Sequence, residues 1–340
     1  MGHPLEKPRA HAEPAAPEAS APRPMRRWTR WLTGLLGLAV IVLLAWAARK
    51  VDWHEVGDAL LKMPPGTLLA ALGVAALSHL VYSTYDLMGR HWTGHRLPWQ
   101  RVMQTTFVSY AFNLNLGSLV GGIAFRYRLY SRLGLRKGLI TQILALSLTT
   151  NWLGYAAVAG AVFLFGWLTP PPDWHLSRAA LPWVGGVLWL VVGLYVWLCG
   201  GARGRHMRIR GQRISLPSAR LAALQVGLAT LNWLLISSVV WLLLKGAVPY
   251  TLVIGALLAG AIAGVLTHVP AGVGVIETVF VALLSSRVPT GQLLAALLSY
   301  RAIYYLLPLL CATGLYFVLE ARANREDAAL AAAKNTVAGA

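Results

Sequence analysis

Long apolar runs separated by short polar segments follow one another along most of the chain. Seven of these runs reach or approach the roughly 20 residues that a helix needs to cross about 30 Å of hydrocarbon. They cover residues 31–48, 67–87, 139–168, 180–199, 221–244, 250–267 and 291–318. The pattern predicts an all-α polytopic membrane protein with about seven full transmembrane helices.

Two more apolar segments are interrupted by residues that break helices. Segment 102–124 contains NLNLGSLVGG, which mixes asparagines and glycines with apolar residues, and segment 268–286 opens with HVPAGVG. Broken backbone is tolerated at membrane depth only where it is buried in protein or lines a wet cavity. We therefore predict two glycine-broken re-entrant or half-helix segments that line a cavity.

Lysine and arginine are concentrated in some polar segments and scarce in others. The rich segments are the tail before Trp31, 88–101, 126–137 and 200–220, and such segments stay on the cytoplasmic side. The N-terminus is therefore predicted to be cytoplasmic. Because 102–124 lies between two basic segments, it should enter and leave the membrane on the cytoplasmic side as a hairpin.

The composition agrees with membrane insertion and excludes a soluble fold. Of the 340 residues, 57% are hydrophobic and 12% are charged, and the net charge is +18. A soluble protein carries about twice that charged fraction. The basic residues lie between apolar runs rather than on a soluble face, which argues against nucleic acid as a partner. The two cysteines match no metal or redox spacing.

The chain divides into three parts. Residues 1–30 are predicted to be a disordered basic tail, because their Pro- and Ala-rich composition does not offset the entropy of ordering. Residues 31–319 form the transmembrane domain, and 320–340 form a short C-terminal tail. The run 31–48 is either an uncleaved first span or the core of an export signal. Residues 52–63 are either an interfacial amphipathic helix or an ordinary connector.

The two broken segments weakly resemble each other. A shift of 151 residues places Gly121 on Gly272 and Arg126 on Glu277, and each segment precedes a long span. Paired glycine-interrupted segments in two halves of a chain point to the binding site of a transporter. The identity between the halves is low, so an internal repeat and chance both stay open. The even number of predicted spans between them argues against an inverted repeat.

Two acidic residues, Asp86 and Glu277, lie inside apolar segments, and Arg301 is the basic residue well inside a span. Each ionised group near the bilayer centre costs about 3 kcal/mol on insertion scales, so it needs a partner or a cavity. We expect Arg301 to meet an anionic ligand or Glu277, with Asp86 contributing from another helix. The alternative is an ion pair that only fixes helix packing. A metal site that includes His79 or His268 has no motif to support it.

Residues beside the broken segments supply groups that bind phosphate. Arg126 and Arg128 are expected at the cytoplasmic lipid surface, where guanidinium groups can fork onto phosphate oxygens. Backbone N–H groups beside the glycines can cradle a phosphate. The candidate substrate-binding residues are Asp86, Asn113, Gly121, Gly122, Arg126, Arg128, Gly272, Gly274, Glu277 and Arg301. No nucleophile elbow or cofactor motif is found, so we expect no catalytic residue, cofactor or metal.

Four stretches resemble a known family, and they are GGIAFRYRLYSRLGL (121–135), TTNWLGY (149–155), HVPAGVGVIETVF (268–280) and LLSYRAIYYLLPLL (297–310). They are similar to the YbhN-like bacterial inner-membrane proteins of the lysylphosphatidylglycerol synthase transmembrane-domain family, also called flippase-like. The family's Pro-Gly-Gly-x-Gly-x-x-Glu pattern is present with Ala271 in place of the first glycine. Arg301 and Tyr305 match the family's arginine and aromatic positions, which adds Tyr305 to the candidate residues.

The resemblance implies a multi-pass protein of the bacterial inner membrane that binds or moves phospholipids. In the aminoacyl-phospholipid synthases of this family, the membrane half is associated with flipping lysyl-phosphatidylglycerol, and a separate soluble domain transfers the aminoacyl group. This chain ends soon after its last span, so we expect no transferase domain and no enzyme activity. The expected function is a translocase or lipid-binding transporter for anionic or aminoacylated phospholipids. The alternative is a non-catalytic scaffold or regulator that partners a phospholipid-synthesis enzyme.

Overall fold

The computed structural model of the chain describes residues 53–168, 179–201, 207–209, 212–214, 216–267, 269 and 272–338. Its α-helices are α1 (Trp53–Leu61), α2 (Pro65–Ser83), α3 (Tyr85–Thr93), α4 (Trp99–Leu116), α5 (Phe125–Arg132), α6 (Lys137–Leu164), α7 (Leu181–Gly201), α8 (Ala219–Leu243), α9 (Tyr250–Thr267), α10 (Val275–Leu284), α11 (Thr290–Tyr300) and α12 (Leu307–Ala338). Two π-helical segments, Ser118–Ala124 and Arg301–Leu306, interrupt the helical runs. Strands β1 (Met207–Ile209) and β2 (Gln212–Ile214) form an antiparallel hairpin that we did not predict.

The long helices coincide with predicted spans. In the described ranges, the helical stretches that are long and apolar enough to cross a membrane are Pro65–Thr93, Lys137–Leu164, Leu181–Gly201, Ala219–Leu243, Tyr250–Thr267 and Thr290–Arg325. The prediction of an all-α polytopic membrane protein is therefore confirmed. The first predicted run, 31–48, and the predicted tail, 1–30, lie outside the described residues.

Helix α7 lies at the outside of the bundle. Trp183, Leu190 and Trp197 are largely exposed, as expected for a helix that faces hydrocarbon. The helix approaches α6 closely where two glycines meet, because a Cβ on Gly185 would lie 2.7 Å from the carbonyl oxygen of Gly160. Small residues at such a contact let transmembrane helices pack closely without a hydrophobic driving force.

The first broken segment forms a helical hairpin. The chain turns after α4 at Gly117, which has φ 83°, and returns through the first π-helical segment into α5. The returning arm packs so closely that a Cβ on Gly121 would lie 2.2 Å from backbone atoms of Phe112. Arg101 and Arg132, near the two open ends, line the same small cavity. The arms are therefore antiparallel, as a re-entrant hairpin requires, and the position of this hairpin in a bilayer stays a prediction.

The second broken segment is a half-length helix that returns along α9. Between α9 and α10, Gly272 and Gly274 adopt φ values of 58° and 80°. Helix α10 has 10 residues, and its Ile276 packs against Gly260 of α9. The buried Phe280 anchors α10 in a core shared with α8, α9 and α11. His268 and Pro270 lie outside the described residues.

The last helix continues well beyond the predicted end of the transmembrane domain. Helix α11, the second π-helical segment and α12 form one helical run from Thr290 to Ala338. Most of the segment 320–340, which we predicted as a short tail, is therefore helical. The reason is local, because this segment is rich in alanine, arginine and glutamate, which have high helix propensity.

Segment 52–63 contains a helix from Trp53 to Leu61. Met63, just after this helix, is buried in the core that includes α11, whereas Leu61 is 86% exposed. The segment is therefore largely helical, and its position at the membrane interface stays a prediction.

Candidate functional site

One ion pair is buried between α3 and α5. The guanidinium of Arg126 donates from Nε to Asp86 Oδ2 at 3.0 Å and from Nη2 to Asp86 Oδ1 at 3.3 Å. The hydroxyl of Tyr130 donates to Asp86 Oδ2 at 2.9 Å. Arg126 also donates to the carbonyl of Gly122 at 3.3 Å and to the hydroxyl of Ser147 at 3.2 Å. The side chains of Arg126 and Asp86 are 2% and 0% exposed, so this cluster is closed to solvent and lipid.

The lipid-surface position that we expected for Arg126 is therefore wrong. The hairpin returns α5 toward α3, which places the guanidinium in the interior instead of at a headgroup. The hydrogen bonds of Asp86 connect it to Arg126 and Tyr130 rather than to Arg301. Removing either partner would leave the other as a buried, unpaired charge, which is strongly destabilising. We conclude that this pair fastens the hairpin to α3.

A second ion pair connects α10 to the second π-helical segment. Arg301 donates through Nε to Glu277 Oε1, and through Nη2 to Glu277 Oε2 at 2.9 Å. Its Nη2 also donates to the carbonyl of Gly272 at 3.0 Å. The ring of Tyr305 lies 5.7 Å from the guanidinium carbon. Arg301 and Glu277 are 14% and 17% exposed, so this pair, unlike the first, is accessible from outside.

The local backbone places these groups. Gly274, with φ 80°, precedes α10 and leaves Glu277 in the first helical turn, where the helix dipole favours a carboxylate. Gly272 adopts a left-handed conformation that glycine reaches at no steric cost, and its carbonyl then meets Arg301. Arg301 begins a π-helical segment, and such widened turns are frequent at functional sites. Of the two partners expected for Arg301, the structure shows Glu277.

The glycines of the two broken segments have structural roles. The N–H of Gly121 donates to Gly117 at 2.9 Å, and the N–H of Gly272 donates to Val269 at 3.0 Å. The turns use these two N–H groups, and the expectation that N–H groups beside the glycines cradle a phosphate stays a prediction. The side chain of Asn113 covers Gly122, where a Cβ would lie 2.9 Å from Asn113 Oδ1. Asn113 and these glycines thus shape the hairpin and its return.

Arg128 faces the C-terminal helix rather than a free lipid surface. Its Nε donates to Glu320 Oε1 at 2.8 Å, and Arg132 Nη2 lies 3.0 Å from Glu320 Oε2. The Arg128 guanidinium also lies 5.9 Å from the ring centre of Tyr316. These three charged side chains are 12% to 15% exposed. They connect the end of the hairpin to α12.

Replacing Glu320 with glutamine is expected to lower the stability only slightly. Ion pairs that water still reaches contribute about 1 kcal/mol or less, and salt screens them. Thermal unfolding in detergent at low and high salt measures this effect, with Arg322→Gln on the exposed part of α12 as control. A large loss of stability that does not depend on salt would contradict the prediction.

A buried polar cluster beside the second pair was not predicted. The hydroxyl of Tyr304 lies 2.8 Å from Ser78 Oγ and 3.1 Å from the hydroxyl of Tyr110. Ser78 donates to Asn232 Oδ1 at 2.7 Å, and His79 Nε2 lies 3.2 Å from the carbonyl oxygen of Tyr304. The sequence does contain a signal, since YRAIYY places tyrosines inside a span, where each hydroxyl needs a partner. His79 thus contacts this cluster.

The chain matches the family model described as the lysylphosphatidylglycerol synthase TM region over residues 33–312. It is similar to the inner membrane protein YbhN of Escherichia coli K12, with 45% identity over 295 residues. That alignment covers 86% of this chain and 93% of YbhN. An uncharacterized protein of Synechocystis is 29% identical over 281 residues, covering 81% of this chain and 87% of that protein.

A third relative is a much longer protein. The phosphatidylglycerol lysyltransferase of Staphylococcus haemolyticus is 22% identical over 293 residues. The alignment covers 82% of this chain but 32% of the lysyltransferase. The similarity therefore concerns one part of that protein.

Proposed function

Because the chain belongs to the family of the lysylphosphatidylglycerol synthase transmembrane region, we propose that it binds an anionic or aminoacylated phospholipid and moves it across the inner membrane. Its relatives include a protein named for the inner membrane and another named for lysine transfer to phosphatidylglycerol. These names supply the lipid class of the proposal. The site is inferred from the chain's own residues.

The observation that carries the proposal is the accessible Glu277–Arg301 pair at the second broken segment. An arginine fork binds phosphate oxygens as it binds a carboxylate. A lipid phosphate can therefore replace Glu277 on Arg301, and the released Glu277 can pair with the ammonium group of an aminoacylated headgroup. This exchange keeps each charge paired, which matters because an unpaired charge inside a membrane protein is costly.

The backbone around the pair supports such an exchange. Glu277 lies in the first turn of a half-length α-helix, and Arg301 lies in a π-helical segment rather than in a regular α-helix. Tyr305 and the Gly272 carbonyl flank the guanidinium and would keep it oriented while its anionic partner changes. The Asp86–Arg126 pair lacks this accessibility and is assigned a structural role.

The test is lipid movement in proteoliposomes with headgroup-labelled phospholipids and an impermeant quencher. We expect movement above that of empty vesicles, with the anionic or lysyl-modified lipid moving faster than a zwitterionic one. Arg301→Gln and Glu277→Gln should each slow the movement at least about tenfold, since a charge-assisted hydrogen bond contributes about 1.5–3 kcal/mol. Arg287→Gln is the matched control, because Arg287 is exposed in the turn after α10.

Two outcomes would contradict the proposal. One is full activity in both the Glu277 and Arg301 variants with folded protein present. The other is no movement above empty vesicles for the folded parent protein. The second outcome, together with co-purification of a phospholipid-synthesis enzyme, would favour the scaffold or regulator function instead.

A further inference from the structure

Glu277 is the carboxylate that loses its partner in the proposed exchange. Its two oxygens accept hydrogen bonds from Nε and Nη2 of Arg301, so one guanidinium neutralises one carboxylate. When a lipid phosphate binds the guanidinium instead, the site holds one positive charge and two negative charges. The charge on Glu277 then has to be balanced by another group.

The helices around Glu277 do not supply a second cation. Helix α10 packs against α9 and α11, and the sequences of these two helices contain no lysine, arginine, histidine, aspartate or glutamate. Their titratable groups are the hydroxyls of Tyr250 and Tyr300. Helix α8 shares the core around Phe280 through its C-terminal half, and its one charged residue, Arg220, lies in its first turn.

The groups that do face the carboxylate compensate its charge only in part. Glu277 lies in the first turn of α10, where the helix dipole is equivalent to about half an elementary charge. In the π-helical segment, Tyr305 packs beside the Arg301 guanidinium, and the hydroxyl of Tyr304 bonds within the buried polar cluster. A tyrosine hydroxyl can donate a hydrogen bond but does not cancel a charge. His268, which precedes α10 in the sequence, lies outside the described residues.

The lipid itself determines what balances Glu277. A headgroup with an ammonium group beside its phosphate brings the missing cation. A lipid with a single negative charge, such as phosphatidylglycerol, does not. An unpaired ionised carboxylate inside a membrane protein is costly, and a bound proton removes the charge. Glu277 is 17% exposed, so water that enters with the headgroup can deliver this proton.

Resting on the proposed function, we propose that a phospholipid with one negative charge crosses together with one proton bound to Glu277. An aminoacylated lipid with one ammonium group crosses without it. The carboxylate takes up the proton from water on the entry side as Arg301 binds the phosphate. It returns the proton to water on the exit side when Arg301 leaves the phosphate and pairs with Glu277 again. With either lipid, the loaded site then has the same net charge as the empty one.

The first test is the distribution of acyl-labelled lipids between the leaflets of proteoliposomes that have a pH difference of about one unit and no membrane potential. An impermeant quencher measures the outer leaflet. We expect phosphatidylglycerol to accumulate about tenfold in the leaflet on the side of higher pH, because each lipid moves with one proton. Alanyl-phosphatidylglycerol, whose phosphate and ammonium charges cancel, should stay evenly distributed. Empty vesicles with the same pH difference are the control for spontaneous crossing.

The second test measures binding of phosphatidylglycerol to the full chain in phosphatidylcholine nanodiscs and does not require movement. Because binding takes up one proton, the affinity of the parent chain should fall about tenfold for each unit of rise in pH around neutrality. Glu277→Gln should still bind through Arg301 but without this dependence, since glutamine is neutral at every pH. His268→Gln is the matched control and should keep the dependence.

An even distribution of phosphatidylglycerol across the pH difference, with both lipids moving, would overturn the proton proposal and leave the transport function standing. A parent affinity that does not change with pH would also overturn it. So would a dependence that persists in Glu277→Gln or disappears in His268→Gln. No movement of either lipid by the folded parent protein would instead contradict the proposed function, and the proton proposal with it.

Discussion

Replacing Asp86 with alanine is expected to remove most of the folded protein from the membrane. Arg126 would remain buried, at 2% exposed, without its counter-ion, and Tyr130 would lose its acceptor. Breaking a buried pair on one side costs about 3–5 kcal/mol, whereas the total stability of a domain is about 5–15 kcal/mol. Thermal unfolding of detergent-purified protein and the yield of monodisperse protein measure the loss.

A second variant distinguishes the charge effect from simple loss of packing. Because an apolar replacement of a whole buried pair is often tolerated, Asp86→Leu combined with Arg126→Met should be more stable than Asp86→Ala. The control is Asp58→Ala, since Asp58 is exposed on α1. If Asp86→Ala unfolded at the temperature of the parent, the structural role assigned to this pair would be wrong.

Replacing Gly121 with alanine is expected to disrupt the first hairpin. The added Cβ would lie 2.2 Å from the Phe112 carbonyl carbon and from the Asn113 amide nitrogen. These are backbone atoms, so a rotamer change does not relieve the contact, and the arms of the hairpin must separate. Overpacking costs about 1–3 kcal/mol, occasionally more, and we expect the upper end here or beyond it. The fall in unfolding temperature measures this cost.

The matched control for this substitution is Gly73→Ala in α2. A Cβ at Gly73 meets nothing within 4 Å, and alanine favours a helix over glycine by about 0.5–1 kcal/mol. Gly73→Ala should therefore be as stable as the parent or more stable. An equal effect of the two substitutions would show that the close approach at Gly121 is unimportant.

The transmembrane helices could be predicted from the sequence because a single physical term, the transfer of apolar side chains to hydrocarbon, determines their positions. The hairpin at Gly117 could also be predicted, because the basic segments on either side of 102–124 restrict its topology. The same reasoning singled out Glu277 and Arg301, because charges are rare inside membrane spans.

The partner of Asp86 could not be predicted in the same way. The contact with Arg126 joins residues 40 positions apart and arises only after the hairpin folds back. The local sequence places Arg126 in a basic cluster, and such a cluster is typical of residues at the cytoplasmic lipid surface. Tertiary packing overrides that interpretation. A useful signal was nevertheless present, since a lone aspartate inside a span needs a basic partner and Arg126 is the first arginine after the broken segment 102–124.

Other features depend on packing that periodicity does not encode. The π-helical segment at Arg301 leaves no distinct pattern of apolar residues. The polar cluster around Tyr304 joins Ser78, Tyr110 and Asn232, which lie far apart in the sequence and meet only in the folded bundle. Asn113 was identified as a polar residue in an apolar stretch, but its position over Gly122 follows from the return of the hairpin.

The continuous helical run from Thr290 to Ala338 has a mechanical consequence. Arg301 and Glu320 lie on this run, and its α-helical part between Leu307 and Glu320 is about 20 Å long at 1.5 Å per residue. The π-helical segment at Arg301 adjoins the start of α12, so a change in the tilt of α12 at this end becomes a displacement of Glu320 farther along the same helix. Release of Glu277 by Arg301 would therefore change the distances between Glu320 and its partners Arg128 and Arg132.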